Sequence, residues 1–447
     1  MLPERFLTES LRSHPHGASV ARILSAAMQA VEPSAAVSRF FRREGGQLMI
    51  NDQVYDLEKT GQIRILGLGK AAQAMTGPLA ESLADQTPRG LLIPKQAFNP
   101  AWAGFESQPG GHPVPDENSL AAGAKALELV RGLNENDLLI CLVSGGGSAL
   151  MVSPQPGLTL ADLQSLTRCL LACGARIDEI NILRRHLDQV KGGGLARAAL
   201  PARVVSLILS DVVGNHLETI ASGPTTPDPT SKADALGVLE KYDLTGKVPA
   251  AILKALENAP ETPKPGDGLF GHVQNIIVGS NALAAQAALA KAKSEGFHPH
   301  FLGADWQGEA RNVAKKLCGK LKSDAKKPFC CMVAGGETTV SLRGGGLGGR
   351  NQELALAAVD ALSGIKNVML VTLATDGEDG PTDAAGALVT GETKERAQAM
   401  NLAPDAFLRE HNAYHFFEPL GDLLKPGPSG TNVNDLTFLF GFRAGSR

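Results

Sequence analysis

The chain has 447 residues, 43% of them apolar and 20% charged, with a net charge of −3. That length suits two or three folded domains, and the apolar share supplies their cores. A slightly acidic chain with no basic block and only 4% aromatic residues offers neither the charged footprint nor the stacking platform of a nucleic-acid binder, so no nucleic-acid partner is expected.

No apolar run reaches the length of a membrane span, and the opening MLPERFLTESLRSHPHG lacks the apolar centre of a signal peptide. A cytoplasmic protein with no membrane partner is therefore expected. The six cysteines form no CxxC pair, which points to reduced, buried thiols.

After about 60 residues of helical pattern broken by a polar turn near Glu44–Gln47, one theme repeats. IRILGLGKAAQAM reads as strand, glycine turn and helix, followed by the short strand GLLIP. LAAGAKALELVRGL is helical, and DLLICLVSGGGSALM is again strand, turn and helix. LTLADLQSLTRCLLACGA and IDEINILRRHLDQVKGGGLA read as helices. ARVVSLILSD is a buried strand ending in an acid. The Pro/Gly-rich stretch 257–271, ENAPETPKPGDGLFG, is the expected boundary. Beyond it VQNIIVGSNALAAQAALAKAKSEG repeats the theme, and FCCMVAGGETTVSL and NVMLVTLATDG add strands.

Alternating strands and helices predict an α/β protein of two domains, residues 1–255 and 270–447, each a largely parallel sheet flanked by helices. In such sheets ligands sit beyond the carboxyl ends of the strands, where each glycine turn falls.

Those turns carry the candidate chemistry. GLGKAA, Gly67–Ala72, fits the dinucleotide fingerprint in form. Lys70, however, occupies the turn, and the next strand ends in Pro94–Lys95 rather than in an acid for a ribose hydroxyl. Lys70 reads better as a cation for phosphate or substrate. In SGGGSA, Ser144, Gly145, Gly146, Gly147 and Ser148 make an anion cradle. Gly344–Gly349, with Gly345, Gly346, Gly348 and Gly349, makes a second glycine loop that opens a helix at Arg350, and both loops are expected to cradle the phosphates of a nucleotide.

Asp211 and Asp376 end apolar strands. There a carboxylate can hold Mg2+ or accept a proton from a substrate hydroxyl, and the competing reading is a helix N-cap. Asp379 and Asp383 cluster with Asp376 in TDGEDGPTDAAG. His112, in the rigid GGHPVPDENS turn, and Asn215, in the polar loop after Asp211, are candidate substrate contacts. Arg184, His186 and Lys191 do not share one helical face, so part of their charge is expected to be solvated. There is no G-x-S-x-G, no HExxH and no kinase HRD/DFG pair.

Taken in order, GLGKAA, GGHPVPDENS, VSGGGSALM, INILRRHLDQVKGGGLA, SDVVGNHLETIASGPTTPDPT, GGETTVSLRGGGLGGRNQE, TDGEDGPTDAAGA and GPSGTNVNDL form a specific set. The chain resembles the class II glycerate 2-kinases that carry a MOFRL domain, from about residue 15 to its end. The resemblance implies a Rossmann-like N-terminal domain, a MOFRL-type C-terminal domain and an active site in the cleft between them. It implies transfer of the γ-phosphoryl group of ATP to D-glycerate, giving 2-phosphoglycerate, with Mg2+. By the same resemblance the site lysine falls on Lys70, the site aspartates on Asp211 and Asp376, and the site arginine on Arg350. Departures are Asp188, Gly194 and Ser429, where serine, arginine and threonine are common. A homodimer is one assembly left open. Two other functions compete: an NAD(P)-dependent hydroxypyruvate reductase, a name some relatives carry, and a non-catalytic sensor of sugar-acid phosphates.

Overall fold

The computed structural model describes residues 1–324 and 329–443. They gather into two compact units, one of Pro33–Val278 and one of Met1–Glu32 with the chain from Gly279 onward.

In the Pro33–Val278 unit, β1 (Phe41–Glu44), β2 (Gln47–Ile50) and β3 (Gln53–Asp56) form a small antiparallel sheet. The main sheet holds β4 (Ile63–Leu68), β5 (Arg89–Ile93), β6 (Phe105–Ser107), β7 (Leu138–Val143), β8 (Arg203–Leu209) and β9 (Val273–Gly279). Their spatial order is β6-β5-β4-β7-β8-β9, and the β6–β5, β5–β4, β4–β7 and β7–β8 pairings are parallel. From β4 the chain builds outward through β5 and β6, then returns to the other side of β4 for β7 and β8. That reversal is a topological switch point, where helices leave on opposite faces and a crevice opens beyond the strand ends. The six residues of β7 are all buried, as the uninterrupted run LLICLV requires of a central parallel strand. Pairing of Leu68 with Val143, and of Val143 with Ile208, levels the ends of β4, β7 and β8.

The Pro/Gly-rich stretch 257–271 does not divide the units. It packs onto the first unit because its polar side chains have partners there: Glu261 Oε1 lies 3.0 Å from His186 Nε2, and Thr262 Oγ1 donates to Asp228 Oδ2 at 3.0 Å. The long helix read across 177–196 breaks into Ile177–His186 and Gly194–Ala199, with Gly192 and Gly193 at positive φ between them.

The other unit contains β10 (His298–Phe301), β11 (Trp306–Glu309), β12 (Cys330–Thr339), β13 (Val368–Ala374), β14 (Gly386–Thr390), β15 (Leu423–Leu424) and β16 (Asp435–Gly441). The order is β10-β12-β16-β13-β14-β15, with β11 also on β12. Here the expectation of a largely parallel sheet meets a difference. β10 and β11 run parallel to β12, but the β12–β16, β16–β13, β13–β14 and β14–β15 pairings are antiparallel. The strand–helix–strand crossover from β12 to β13 does form, through Arg350–Leu362. The later strand β16 then fills the slot between them in the opposite sense. Phe416, Phe417, Leu354, Val359 and Leu439 lie in the core beneath this sheet.

The first 32 residues belong to this unit rather than to the N-terminal one. Helix Gly17–Ala30 packs along Asn281–Ser294, and Arg22 is fixed to Glu295 at 2.6 Å. Ser10 Oγ donates to the buried Asp422 at 2.7 Å, where Arg396 also bonds.

No disulfide joins the six cysteines, and burial pushes the Cys141 thiol up to about 12 and Cys318 to about 11. Neither is a nucleophile near neutral pH. Among the described residues no helix is long and apolar enough to cross a membrane.

Candidate active site

The switch point gathers most of the residues singled out from the first half. Gly69 follows β4 with φ +109°, and a Cβ there would overlap the Ser144 carbonyl and hydroxyl, so only glycine lets the two turns touch. Across that contact Ser144 Oγ accepts from Ala71 N at 3.0 Å and donates to the Leu68 carbonyl at 3.2 Å, while Lys70 N donates to the Gly145 carbonyl at 3.1 Å. The two turns are thus bolted together by backbone and hydroxyl. Ser144 proves to be a buried clamp rather than an open phosphate contact.

Beyond the clamp the loop is open-handed. Among the described residues, the N–H groups of Gly145, Gly146 and Gly147 find no backbone acceptor in the surrounding loops. Gly146 sits at φ +89°, and a Cβ on it would stand 3.3 Å from the His112 ring and 3.8 Å from Lys70 Cε. Lys70 is exposed and His112 is half-buried. Burial pulls the His112 imidazole below its ordinary value, and Lys70 and Lys95 push it the same way, so the ring is neutral at neutral pH.

Asp211, just past β8, closes the other side, since a Cβ on Gly145 would overlap its carboxylate. The turn that follows, Val213–Asn215, has Val212 as its N-cap residue, so the N-cap reading of Asp211 does not hold. Lys70, His112, Gly145–Gly147 and Asp211 therefore form one constellation. Asn215 ends the short turn four residues on, with its N–H given to the Val212 carbonyl.

The second glycine loop is used differently. A Cβ on Gly346 would strike Asn412 and the Glu410 carbonyl, and one on Gly349 would overlap Asp379. Gly346 N donates to the Glu410 carbonyl at 2.9 Å and Leu347 N to Asn412 Oδ1 at 3.0 Å. Gly345 and Gly348 are less confined. At the start of helix Arg350–Leu362, Asn351 N and Gln352 N donate to the Asp379 carboxylate at 3.1 and 2.8 Å. The helix terminus expected to receive phosphate is already filled by a side chain of this chain.

Burial pushes Asp379 up to about 7 despite those donors. Arg350 Nε bonds Asp435 Oδ2 at 2.6 Å and its NH1 bonds Glu337 Oε1 at 2.7 Å. Burial alone would lower the guanidinium, but the two acids outweigh it and raise it further.

The three aspartates do not act as one cluster. Asp379 is the buried cap. Asp383 meets Tyr414 at 2.8 Å and Lys425 at 3.1 Å. Asp376 is exposed, and its Oδ1 accepts from Glu378 N at 3.3 Å. Among the described residues no three His, Cys, Asp or Glu side chains come together to hold a metal.

Reading the sequence alone misses a polar thread beside the first loop. Ser148 Oγ is 2.8 Å from Ser222 Oγ, which donates to Asn181 Oδ1 at 3.3 Å, which also accepts from Arg184 NH1 at 3.3 Å. Nor is the RRH segment solvated: Arg185 and His186 are buried, as are Asp188 and Lys191. Period alone could not show that the helix is enclosed on more than one face.

Two family models match the chain: a domain of unknown function (DUF4147) over residues 19–257, and the MOFRL family over 330–435. The chain is 42% identical to a D-glycerate 2-kinase from Thermotoga maritima, over 84% of this chain and 89% of that protein. It is 39% identical to a relative from Agrobacterium vitis provisionally named hydroxypyruvate reductase, over 84% of this chain and 86% of that one. A crystal structure of a glycerate kinase from Thermotoga maritima superposes with a TM-score of 0.84 at 38% identity, covering 94% of this chain and 97% of the other. On fold, ordered motifs and relatives, the chain belongs to the glycerate 2-kinase family.

Proposed function

We propose that this chain transfers the γ-phosphoryl group of ATP to the 2-hydroxyl of D-glycerate, using the constellation at the β4/β7 switch point. The observation that carries the reading is the meeting of Lys70, the donor-rich Gly145–Gly147 turn and Asp211 at three adjacent strand ends. Phosphoryl transfer asks for charge neutralisation and in-line positioning more than for covalent chemistry, and this set supplies both. The glycine N–H groups hold phosphate oxygens. The Lys70 ammonium, on an exposed stem, neutralises them as a mobile point charge. Neutral His112 donates or accepts a hydrogen bond without adding charge.

Asp211 faces the same turn, and its carboxylate either receives the proton of the attacking hydroxyl or helps hold Mg2+. Mg2+ is commonly held by one or two carboxylates together with substrate phosphates and water, so a lone carboxylate beside a phosphate loop fits it. When bound, Mg2+ would draw charge from the phosphate oxygens. Arg350 and Asp376 are assigned to the same reaction on the family resemblance: Arg350 as a guanidinium for developing charge, Asp376 as an exposed carboxylate.

The strand order is shared with dinucleotide-binding sheets, but the end of β5 separates the two functions. A nicotinamide enzyme places an acid there for the ribose hydroxyl. Here Ile93 is followed by Pro94 and Lys95. The deciding experiment is to incubate the protein with ATP, Mg2+ and D-glycerate and identify the product isomer by phosphorus NMR. Formation of 2-phosphoglycerate is expected. Oxidation of NADH by hydroxypyruvate without ATP would establish the reductase instead.

A further inference from the structure

Helix Ile177–His186 ends in three consecutive basic residues, and two of them have counter-charges. Arg185 Nε bonds the buried Asp228 at 2.8 Å, and His186 Nε2 lies 3.0 Å from Glu261. Arg184 differs. Its NH1 donates to Asn181, and among the described residues no carboxylate stands within ion-pair distance of it. Nearby Asp188 offers no relief, because its carboxylate is paired with Lys191 at 2.7 Å, and the Lys191 ammonium is itself a like charge toward Arg184. A largely enclosed guanidinium without a counter-ion is costly, and one that faces a cavity is a candidate to meet a ligand that supplies the missing charge.

Arg184 lines a cavity together with Ser148, Asp188 and Lys191, against an apolar wall that includes Leu166 and Leu183. The cavity volume is about 30 Å³. A single water needs roughly 10–15 Å³ on this measure, so the space admits about two waters, or a carboxylate group, and excludes a triphosphate. The Ser148–Ser222–Asn181–Arg184 hydrogen bonds tie the guanidinium to the last residue of the glycine turn. A planar fork suits a carboxylate in two-point contact, whereas the mobile ammonium of Lys70 suits phosphate.

We infer that Arg184 receives the carboxylate of the acceptor substrate, so that this cavity, rather than the phosphate loop, selects for a small hydroxy acid. This assignment rests on the kinase reading of the adjacent turn.

The test uses the full chain with ATP and Mg2+, and compares D-glycerate with its neutral amide as acceptors. Arg184→Gln should raise KM for D-glycerate on the order of 10–100-fold, the loss expected for a charged hydrogen-bond pair. KM for ATP should stay within about twofold, turnover of the amide should fall much less than that of D-glycerate, so that the preference for the carboxylate collapses, and Arg184→Lys should recover part of the preference. A retained preference for the carboxylate in Arg184→Gln overturns the assignment. An equal rise in KM for ATP also overturns it, by placing Arg184 on the phosphates. Loss of cooperative melting in both variants makes Arg184 structural and overturns it too. If the wild-type protein does not phosphorylate D-glycerate, the kinase reading fails separately. Calorimetric binding of D-glycerate to wild type and Arg184→Gln then still decides the carboxylate site: tighter binding to wild type supports it, equal binding overturns it.

Discussion

Gly145 has no room for a side chain because the Asp211 carboxylate occupies the place its Cβ would take. The turn that offers N–H donors and the acid that faces them are set by one close approach. Gly145→Ala should push Asp211 aside and lower kcat/KM by about 100-fold, the scale seen when catalytic groups move by about 1 Å. Steady-state kinetics on a variant with an unaltered circular dichroism spectrum checks this. A fully active Gly145→Ala protein would show that Asp211 placement is not limiting.

Lys70 is exposed, and its backbone N–H bonds the Gly145 carbonyl whatever its side chain. Lys70→Ala should therefore leave melting within about 0.5 kcal/mol of wild type, as surface substitutions usually do. It should cut kcat by about 10²–10³-fold if the ammonium stabilises transferring charge. Thermal melts and initial rates separate the two effects.

Arg350 joins Asp435 and Glu337, and Asp435 is buried. Arg350→Ala leaves that acid without its partner and should cost roughly 1–3 kcal/mol in urea unfolding, the penalty of an unsatisfied buried polar group. Its kcat should fall by about 10²-fold or more if the guanidinium also meets developing charge. Near-normal turnover in the folded variant would leave Arg350 as an ion-pair hub only.

Asp379 is held up to about 7 by burial, against an unfolded value near 3.8. Between those values the folded protein keeps a proton that the unfolded chain has released, so this group makes stability fall as pH rises from about 4 to about 7. Asp379→Asn removes the titration. The stability of wild type minus that of the variant should decline across this window and be level above about 8. Denaturant midpoints at several pH values measure it, and a difference independent of pH would show that Asp379 does not titrate there.

Asp211→Asn should raise the Mg2+ concentration needed for half-maximal rate, or remove turnover altogether. Asp376→Asn should do so only if its exposed carboxylate meets the metal. An unchanged Mg2+ titration at normal rate would take Asp376 out of the metal site.

Strands and glycine turns near Lys70, Ser144 and Asp211 were legible because a parallel strand buried on both faces writes itself as a continuous apolar run. The turn that follows such a run needs glycine where two backbones touch. Harder to read was the second sheet. β12 and β13 look like neighbours in sequence, and nothing local says that a strand some 60 residues later will lie between them. The stretch 257–271 misled for a related reason: proline and glycine mark a break in local structure, but Glu261 and Thr262 found partners at His186 and Asp228.

The two glycine loops show the division most clearly. Sequence alone determined the α/β class, the order of the motifs and the family, because these depend on local period and on residue type. It also made Gly145–Gly147 and Gly344–Gly349 look equivalent. Only tertiary structure decided between them, since whether an N–H is available depends on what packs against it from far along the chain. Lys70, His112 and Asp211 leave the first loop's donors open. In the second, Glu410 and Asn412 take the N–H groups of Gly346 and Leu347, and Asp379 fills the start of the helix that follows; among the described residues the same distant packing leaves no carboxylate within ion-pair distance of Arg184.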